Sequence, residues 1–259
     1  MTVKLHYTRS GSGPPVVLLH GLFGSANNLG ALARALQGNY CVYCVDLPNH
    51  GRSDWLDNTS LITMMDSIEH WQRSQQLTEA AFVGHSLGGK VAMQLALAHP
   101  QCVSALVVAD IAPVDYPPHH DQVFAALEAV ASDSCRSRHS AAELMATHIE
   151  EEQVIQFLLS SLRRDKDGVY RWRFNLEELY GAYAELRASP VATSPYTGPV
   201  LFIKGGASDY IREEHRARVV SLFPRADVKI MPGCGHWLHA ERPQLFNNLV
   251  MRFLDKQVV

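Results

Sequence analysis

Short, uninterrupted apolar runs recur along the chain, and amphipathic segments separate them. The first run spans residues 16–19, and the later ones are residues 41–45, 81–83, 105–109, 200–203 and 228–231, of which only the last contains a charged residue, Lys229. Continuous apolar runs of this length are typical of parallel strands that are covered on both faces. Between the runs, apolar residues recur at helical spacing, as at Leu29, Leu32 and Leu36. Strands that alternate with helices predict an α/β fold with a doubly wound, mostly parallel sheet.

The alternation is interrupted once, after the fourth apolar run. From about residue 116 to residue 195 the sequence contains helical patterns but no convincing strand. The predicted helices span residues 122–131, 141–149, 151–162 and 176–186. A segment inserted at this point starts from the C-terminal edge of the sheet, where ligands of such folds bind. We therefore predict a core formed by residues 1–115 and 196–259, and a helical cap formed by residues 116–195.

Composition and charge narrow the class of protein. The chain has 259 residues, of which 47% are hydrophobic and 19% charged, and its formal net charge is −3. This charge gives no reason to expect nucleic acid or an anionic membrane as a partner. The N-terminus has no apolar signal segment, and no stretch reaches the roughly 18 apolar residues of a membrane-spanning helix. We therefore expect a cytoplasmic protein that is a monomer or a weak homodimer.

The pentapeptide Gly84-His85-Ser86-Leu87-Gly88 is the strongest candidate for a catalytic motif. It lies between an apolar run that ends at Val83 and a helical pattern that ends before Pro100. A G-x-S-x-G nucleophile elbow requires this strand–turn–helix setting, because the serine sits on a strained turn and the two glycines let neighbouring backbones approach closely. Ser86 is therefore the candidate nucleophile.

A serine hydroxyl needs a base to take its proton, and the base needs an acid to orient it. Among thirteen histidines, His236 lies in a glycine-rich loop after the last predicted strand, which matches the chain order of serine, acid and histidine in α/β-hydrolases. Two aspartates compete as the acid. Asp110 follows the fourth apolar run directly, and Asp209 comes shortly after the fifth. Either could hydrogen-bond to Nδ1 of His236, and position alone favours Asp209.

An oxyanion hole needs two backbone N–H groups directed at the developing negative charge. Leu87, the residue after the candidate nucleophile, is expected to supply one of them. The other should come from the loop after an early strand, and the glycine-rich stretch at residues 20–24 follows the first apolar run. This position nominates the N–H group of Leu22.

Two other clusters could suggest a metal or redox site. Cys41 and Cys44 have the C-x-x-C spacing, but within a strand their side chains point to opposite faces. His119 and His120 precede Asp121, yet adjacent side chains diverge, and no further ligand stands at a metal-binding spacing. We therefore expect no metal and no organic cofactor, and we interpret the histidine pair as part of a solvated cap entrance.

Several stretches together resemble the α/β-hydrolase superfamily and, more narrowly, the YbfF-type bacterial esterases. They are H-G-L-F-G-S at residues 20–25, D-L-P-N-H-G-R-S at 46–53, G-H-S-L-G-G-K at 84–90, D-I-A-P-V-D-Y at 110–116 and G-H-W at 235–237. The resemblance implies a hydrolase core with a helical cap. It also implies activity on carboxylic esters and acyl thioesters, acyl-CoA among them.

The same resemblance assigns roles to individual residues. It implies that the catalytic acid is the aspartate of the D-I-A-P stretch, which is Asp110 and not Asp209, and that Ser208 joins its network. It further implies that Tyr210 helps to anchor the substrate. His120 stands where the family pattern has an arginine at the cap entrance, so we expect His120 to contact the substrate.

The leading hypothesis is a serine esterase or thioesterase that forms an acyl-enzyme on Ser86 and acts on a small-molecule acyl ester or thioester. One alternative is a carbon–carbon bond hydrolase or related lyase that uses the same triad. Another is a ligand-binding protein that keeps the fold without turnover, since one fold hosts many functions. Acylation of Ser86 by a fluorophosphonate would distinguish an enzyme from a binding protein.

Overall fold

A seven-stranded sheet forms the centre of the computed structural model, which describes residues 3–257. The strands in this range are Tyr7–Ser10 (β1), Pro15–Leu19 (β2), Cys41–Val45 (β3), Ala80–His85 (β4), Val103–Ala109 (β5), Leu162–Arg164 (β6), Tyr170–Trp172 (β7), Val200–Gly205 (β8) and Ala226–Met231 (β9). The order in the sheet is β1-β3-β2-β4-β5-β8-β9, and only β1 is antiparallel to its neighbour. The predicted α/β fold with a mostly parallel sheet is confirmed.

Helices pack against both faces of this sheet. In the described residues the α-helices are Gly30–Leu36 (α1), Leu61–Ser74 (α2), Leu87–Ala98 (α3), Asp121–Asp133 (α4), Arg138–Ala146 (α5), Glu152–Leu159 (α6), Leu176–Gly181 (α7), Tyr183–Arg187 (α8), Arg216–Leu222 (α9), Leu238–Glu241 (α10) and Pro243–Gln257 (α11). Alternate residues of a strand point to opposite faces. Val17 accordingly packs in one apolar cluster with α2 and α3, and Val16 packs in another with α1 and α11. Burial on both faces explains the continuous apolar runs.

The segment between β5 and β8 contains a hairpin that the sequence analysis did not predict. Strands β6 and β7 pair antiparallel across a turn closed by the N–H group of Gly168 and the carbonyl of Asp165. The prediction of helices alone between residues 116 and 195 is therefore wrong at this place. Each strand has three residues and includes arginine, so no apolar run marks it. The helix predicted at 176–186 is also wrong, because α7 and α8 are separate helices that meet at Ala182.

Both edges of the sheet differ from the sequence-based expectation. Strand β1 was not predicted, because its Y-T-R-S sequence is mostly polar. Strand β9 was predicted to be covered on both faces, but it forms the opposite edge. Val228 and Ile230 are 50% and 61% exposed there. An apolar run thus identified the strand without identifying its position in the sheet.

The path of the chain brings the candidate residues to one edge of the sheet. Strand β2 pairs with β3 on one side and with β4 on the other, so the strand order reverses between β2 and β4. A crevice outside the C-terminal ends of the strands is expected at such a reversal. Leu22, Ser86, Asp110 and Ser208 follow β2, β4, β5 and β8, respectively.

Among the helices that the structure describes, none is long and apolar enough to span a bilayer.

Candidate active site

Ser86 occupies a strained turn between β4 and α3. Its φ and ψ angles are 51° and −118°, a backbone conformation that residues other than glycine rarely adopt. A Cβ atom on Gly84 would lie 2.3 Å from the carbonyl oxygen of Gly88, and one on Gly88 would lie 2.4 Å from the carbonyl oxygen of Leu19. Both positions therefore require glycine. Ser86 is the one residue between 80 and 97 that is not fully buried, so the turn presents its side chain at the edge of the sheet.

Asp110 lies next to His236, although 126 residues separate them in the sequence. The Oδ2 atom of Asp110 is 2.8 Å from Nδ1 of His236, and the same oxygen accepts a hydrogen bond from the hydroxyl of Ser208. Oδ1 accepts a hydrogen bond from the N–H group of Gly205 at 2.8 Å. Asp110 is completely buried. The hydroxyl of Ser208 and the N–H group of Gly205 thus hold a buried carboxylate against Nδ1 of His236. Nε2 of His236 has no hydrogen-bond partner among the described residues.

Asp209 has a different environment. It is exposed, and its carboxylate makes no hydrogen bond with His236 or with any other described residue. Only its backbone carbonyl is used, as an acceptor from Nε of Arg212 at 3.0 Å. The structure therefore brings Asp110 and Ser208 to His236, and it leaves Asp209 outside this network.

The loop after β2 presents the N–H group of Leu22. The N–H group of the next residue, Phe23, donates to Nε2 of His50 at 3.1 Å, and Nδ1 of His50 donates to the carbonyl of Pro48. Burial lowers the pKa of His50 to about 3, so its ring stays neutral and keeps accepting this bond. Within residues 3–257, the N–H groups of Leu22 and Leu87 donate to no other group. Both remain available to a bound oxygen.

His85, which precedes Ser86 in the G-x-S-x-G motif, contacts the loop that carries His236. Nε2 of His85 donates to the backbone carbonyl of His236 at 2.9 Å, and the two rings lie 4.8 Å apart. Burial, followed by repulsion from the imidazoles of His239 and His236, lowers the pKa of His85 far below its usual value. Sequence reasoning assigned His85 no part in the site. Its contact with His236 spans 151 residues, and no local pattern reveals it.

Tyr210 covers one face of the His236 ring. The two rings are stacked with centroids 3.8 Å apart, and the hydroxyl of Tyr116 fixes Tyr210 by donating to its backbone carbonyl. The hydroxyl of Tyr210 lies 2.7 Å from Nε2 of His119. Because Nδ1 of His119 faces the carbonyl of Pro117, this hydroxyl is the donor. Tyr210 also lines the crevice that contains Ser86, and His119 is a partner that the sequence analysis did not identify.

His120 lies beside this pair at the cap side of the crevice. Its Nδ1 is 2.6 Å from the hydroxyl of Tyr183, and its Nε2 is 3.5 Å from the hydroxyl of Tyr210. Burial lowers the pKa of His120 to about 3, with a smaller effect from His119. The ring of His120 is thus neutral and only partly exposed, whereas His119 is exposed. The interpretation of the pair as a solvated entrance therefore fits His119 and is only partly right for His120.

Two adjoining cavities share Leu22, Ser86 and Tyr210 as lining residues. The larger one, of about 320 Å³, is also lined by His236 and by the apolar residues Val123, Ile149, Val154, Phe157, Leu158 and Trp237. The smaller one, of about 40 Å³, is also lined by Leu87, Ile111, Tyr116, Tyr183 and Leu186. His236 lines the larger cavity and not the smaller one. The two sides of Ser86 therefore differ in size and in access to the histidine.

Comparisons with known proteins agree with this fold. The chain is 40% identical over 242 residues to Esterase YbfF of Escherichia coli (strain K12), which covers 93% of each chain. It is 36% identical over 249 residues to the sn-1-specific diacylglycerol lipase ABHD11 of Mus musculus, covering 93% of this chain and 81% of that one. The solved structure of a marine microorganism esterase has a TM-score of 0.94 at 35% identity, covering 97% of this chain and 100% of that one. The resemblance to YbfF-type esterases is confirmed. Since a family model also matches residues 16–249, the chain belongs to the alpha/beta hydrolase family.

Proposed function

We propose that this protein is a carboxylic ester hydrolase that works through an acyl-enzyme on Ser86. The observation that carries the proposal is the contact between buried Asp110 and His236. His236 lines the same crevice as Ser86, which sits on a strained turn. Relatives named esterase and diacylglycerol lipase support an ester as the substrate class. Acyl thioesters have the same reacting carbonyl, and we include them in the proposal.

In the proposed mechanism, Nε2 of His236 takes the proton of Ser86 while Oγ attacks the acyl carbonyl. Asp110 holds the proton of His236 on Nδ1 and stabilises the imidazolium that forms, and Ser208 keeps Asp110 in place. The N–H groups of Leu22 and Leu87 stabilise the oxyanion. His236 then returns the proton to the leaving alcohol or thiol, and water releases the acyl group by the same steps.

The two cavities support a division between the acyl and the leaving groups. The leaving group must receive its proton from His236, and His236 lines the larger cavity only. We therefore assign the alcohol to the larger cavity and the acyl group to the smaller one, beside Leu87. A cavity of about 40 Å³ has room for roughly three water-sized groups. This favours acetyl and propionyl esters of bulky, apolar alcohols.

We also propose residues 116–195 as the cap. This segment supplies the apolar wall of the larger cavity, from Val123 to Leu158, and His120 at its edge. A neutral His120 and the hydroxyl of Tyr210 offer hydrogen bonds but no positive charge, so they favour an uncharged ester at this point.

The test combines a substitution with covalent labelling. Ser86→Ala should lower kcat for p-nitrophenyl acetate by several orders of magnitude, and it should abolish the mass adduct formed with a fluorophosphonate. Ser221→Ala, which changes an exposed serine on α9, is the matched control and should keep both properties. An acetyl thioester assayed beside the ester tests the thioesterase part. Hydrolysis by Ser86→Ala at the wild-type rate would exclude the proposed mechanism.

A further inference from the structure

A separate cavity with a polar lining lies between the β6–β7 hairpin and the core, apart from the crevice at Ser86. Its volume is about 240 Å³, and three arginines line it: Arg52 from the loop after β3, Arg163 on β6, and Arg173 directly after β7. We call it the arginine cavity. None of its lining residues lines the crevice at Ser86. Its size, below the roughly 300–1,000 Å³ of a typical drug-sized site, suits a small ligand.

The positive charges of this cavity have little compensation. Within residues 3–257, none of the three guanidinium groups forms a salt bridge. Burial lowers the pKa of Arg163, and the positive charges of Arg173, Arg138 and Arg52 lower it further. Like charges held together without a counterion oppose folding unless a ligand offsets them.

One carboxylate, Asp46, also lines the arginine cavity, but its hydrogen-bonding capacity is already used. Its Oδ1 accepts from the N–H group of Ala26 at 2.6 Å, and its Oδ2 accepts from the N–H group of Arg52 at 3.0 Å and lies 2.9 Å from Nδ1 of His6. The hydroxyl of Ser160, in contrast, is buried in the wall with no partner among the described residues. Three guanidinium forks against one carboxylate leave an excess of about two positive charges, together with a free hydroxyl.

We propose that the arginine cavity binds a phosphate dianion, either as inorganic phosphate or as a phosphate monoester. Guanidinium groups match phosphate oxygens in pairs, and charge-assisted hydrogen bonds of this kind are the strong ones. The excess charge of the cavity equals that of the dianion. This site goes beyond the proposed ester hydrolysis and does not depend on it.

The wall of the arginine cavity is continuous with the loop that carries Leu22. Ser161 lines the cavity, and its hydroxyl donates to the carbonyl of Phe23 at 2.7 Å. Ser25, Ala26 and Asn27 also line the cavity, whereas Gly21, Leu22 and Phe23 line the crevice at Ser86. A bound phosphate would therefore contact one end of the loop whose other end lies at the candidate oxyanion hole.

The experiment measures phosphate binding by isothermal titration calorimetry at constant ionic strength set with chloride. Arg163→Gln and Arg173→Gln should each weaken phosphate binding tenfold or more, because each loses a charge-assisted contact. Arg216→Gln is the matched control, since Arg216 is an exposed arginine paired with Glu213, and its affinity should equal that of the wild type. AMP is titrated in parallel. Binding of AMP through the same arginines identifies a monoester site, and binding of phosphate alone identifies a free-phosphate site.

Three further measurements test this interpretation. Without phosphate, Arg163→Gln should melt no lower than the wild type, because the charge it removes faces like charges. Arg163→Lys keeps the charge but lacks the fork, so its affinity should fall between those of the wild type and Arg163→Gln. The Ser86→Ala protein should bind phosphate as the wild type does, which separates this site from the esterase proposal. Absence of saturable binding of either probe, or equal affinity in the wild type and both glutamine variants, would overturn the proposal.

Discussion

Replacement of Asp110 by asparagine tests the proposed triad sharply, because the structure decides how the new amide must orient. The N–H group of Gly205, at Oδ1, can only donate. The two groups at Oδ2, the hydroxyl of Ser208 and Nδ1 of His236, can each accept once a proton has moved. The asparagine oxygen will therefore face Gly205, and the asparagine NH₂ group will face Ser208 and His236.

This orientation keeps all the hydrogen bonds but changes the tautomer of His236. Nδ1 becomes an acceptor, the proton moves to Nε2, and Nε2 can no longer take the proton of Ser86. In chymotrypsin-type enzymes the corresponding change lowers kcat about 10⁴-fold, which is about 5.4 kcal/mol of activation free energy. The opposite orientation would preserve the tautomer, but it would set an NH₂ group against the buried N–H group of Gly205, at a cost of about 1–3 kcal/mol. We therefore expect the full loss of activity with little change in stability.

The assay compares kcat for p-nitrophenyl acetate and thermal melting in two single variants. Asp110→Asn should lose about 10⁴-fold in kcat and melt within a few degrees of the wild type. Asp209→Asn changes an exposed carboxylate without a partner, and its kcat should stay within about twofold. Retention of more than a tenth of the wild-type kcat by Asp110→Asn, or a collapse of activity in Asp209→Asn, would refute the assignment.

The central strands and the positions of the candidate residues could be predicted because the same burial that stabilises the sheet leaves a mark in the sequence. Strands β2 to β5 are buried on both faces, so each gives a continuous apolar run. In a parallel sheet the residues that follow such runs meet at one edge. The placement of Leu22, Ser86 and Asp110 at one edge followed from this geometry, whereas the strand order that makes them neighbours did not.

Features that depend on contacts across the fold could not be predicted. Only the family resemblance favoured Asp110 over Asp209, because the burial of Asp110 and its left-handed φ of 52° have no local signature. Residues 91 positions apart, His119 and Tyr210, form a hydrogen bond that only the packing of the cap creates. The hairpin β6–β7 packs Leu162 and Trp172 against the apolar core, but each strand has only three residues and an arginine at its centre. So short an alternating segment gave no strand signal.

Three further predictions concern the cap, the smaller cavity and acid stability. Lys90 is buried and donates to the carbonyls of Val114, Arg187 and Ala188 at 2.5–3.0 Å. The carbonyl of Arg187 also accepts from the N–H group of Tyr116, so Lys90→Met should leave two acceptors unsatisfied and lower the melting temperature by roughly 10 °C in calorimetry. An unchanged melting temperature would show that these contacts do not stabilise the fold. Leu186→Ala enlarges the smaller cavity and should raise the ratio of kcat/KM for butyrate esters to kcat/KM for acetate esters at least tenfold. Val154→Ala, in the larger cavity, should leave this ratio unchanged. The reverse result would assign the acyl group to the larger cavity and the alcohol to the smaller one. Stability should also fall between pH 7 and pH 5, because burial lowers the pKa of His50 to about 3 and that of His239 to about 4. In the unfolded chain both rings take up protons below about pH 6.5, while in the folded chain they stay neutral, so each costs about 1.4 kcal/mol per pH unit. By pH 5 the two together cost about 4 kcal/mol, or roughly 10 °C in melting temperature. A melting temperature that is flat over this range would show that the two rings are protonated in the folded protein.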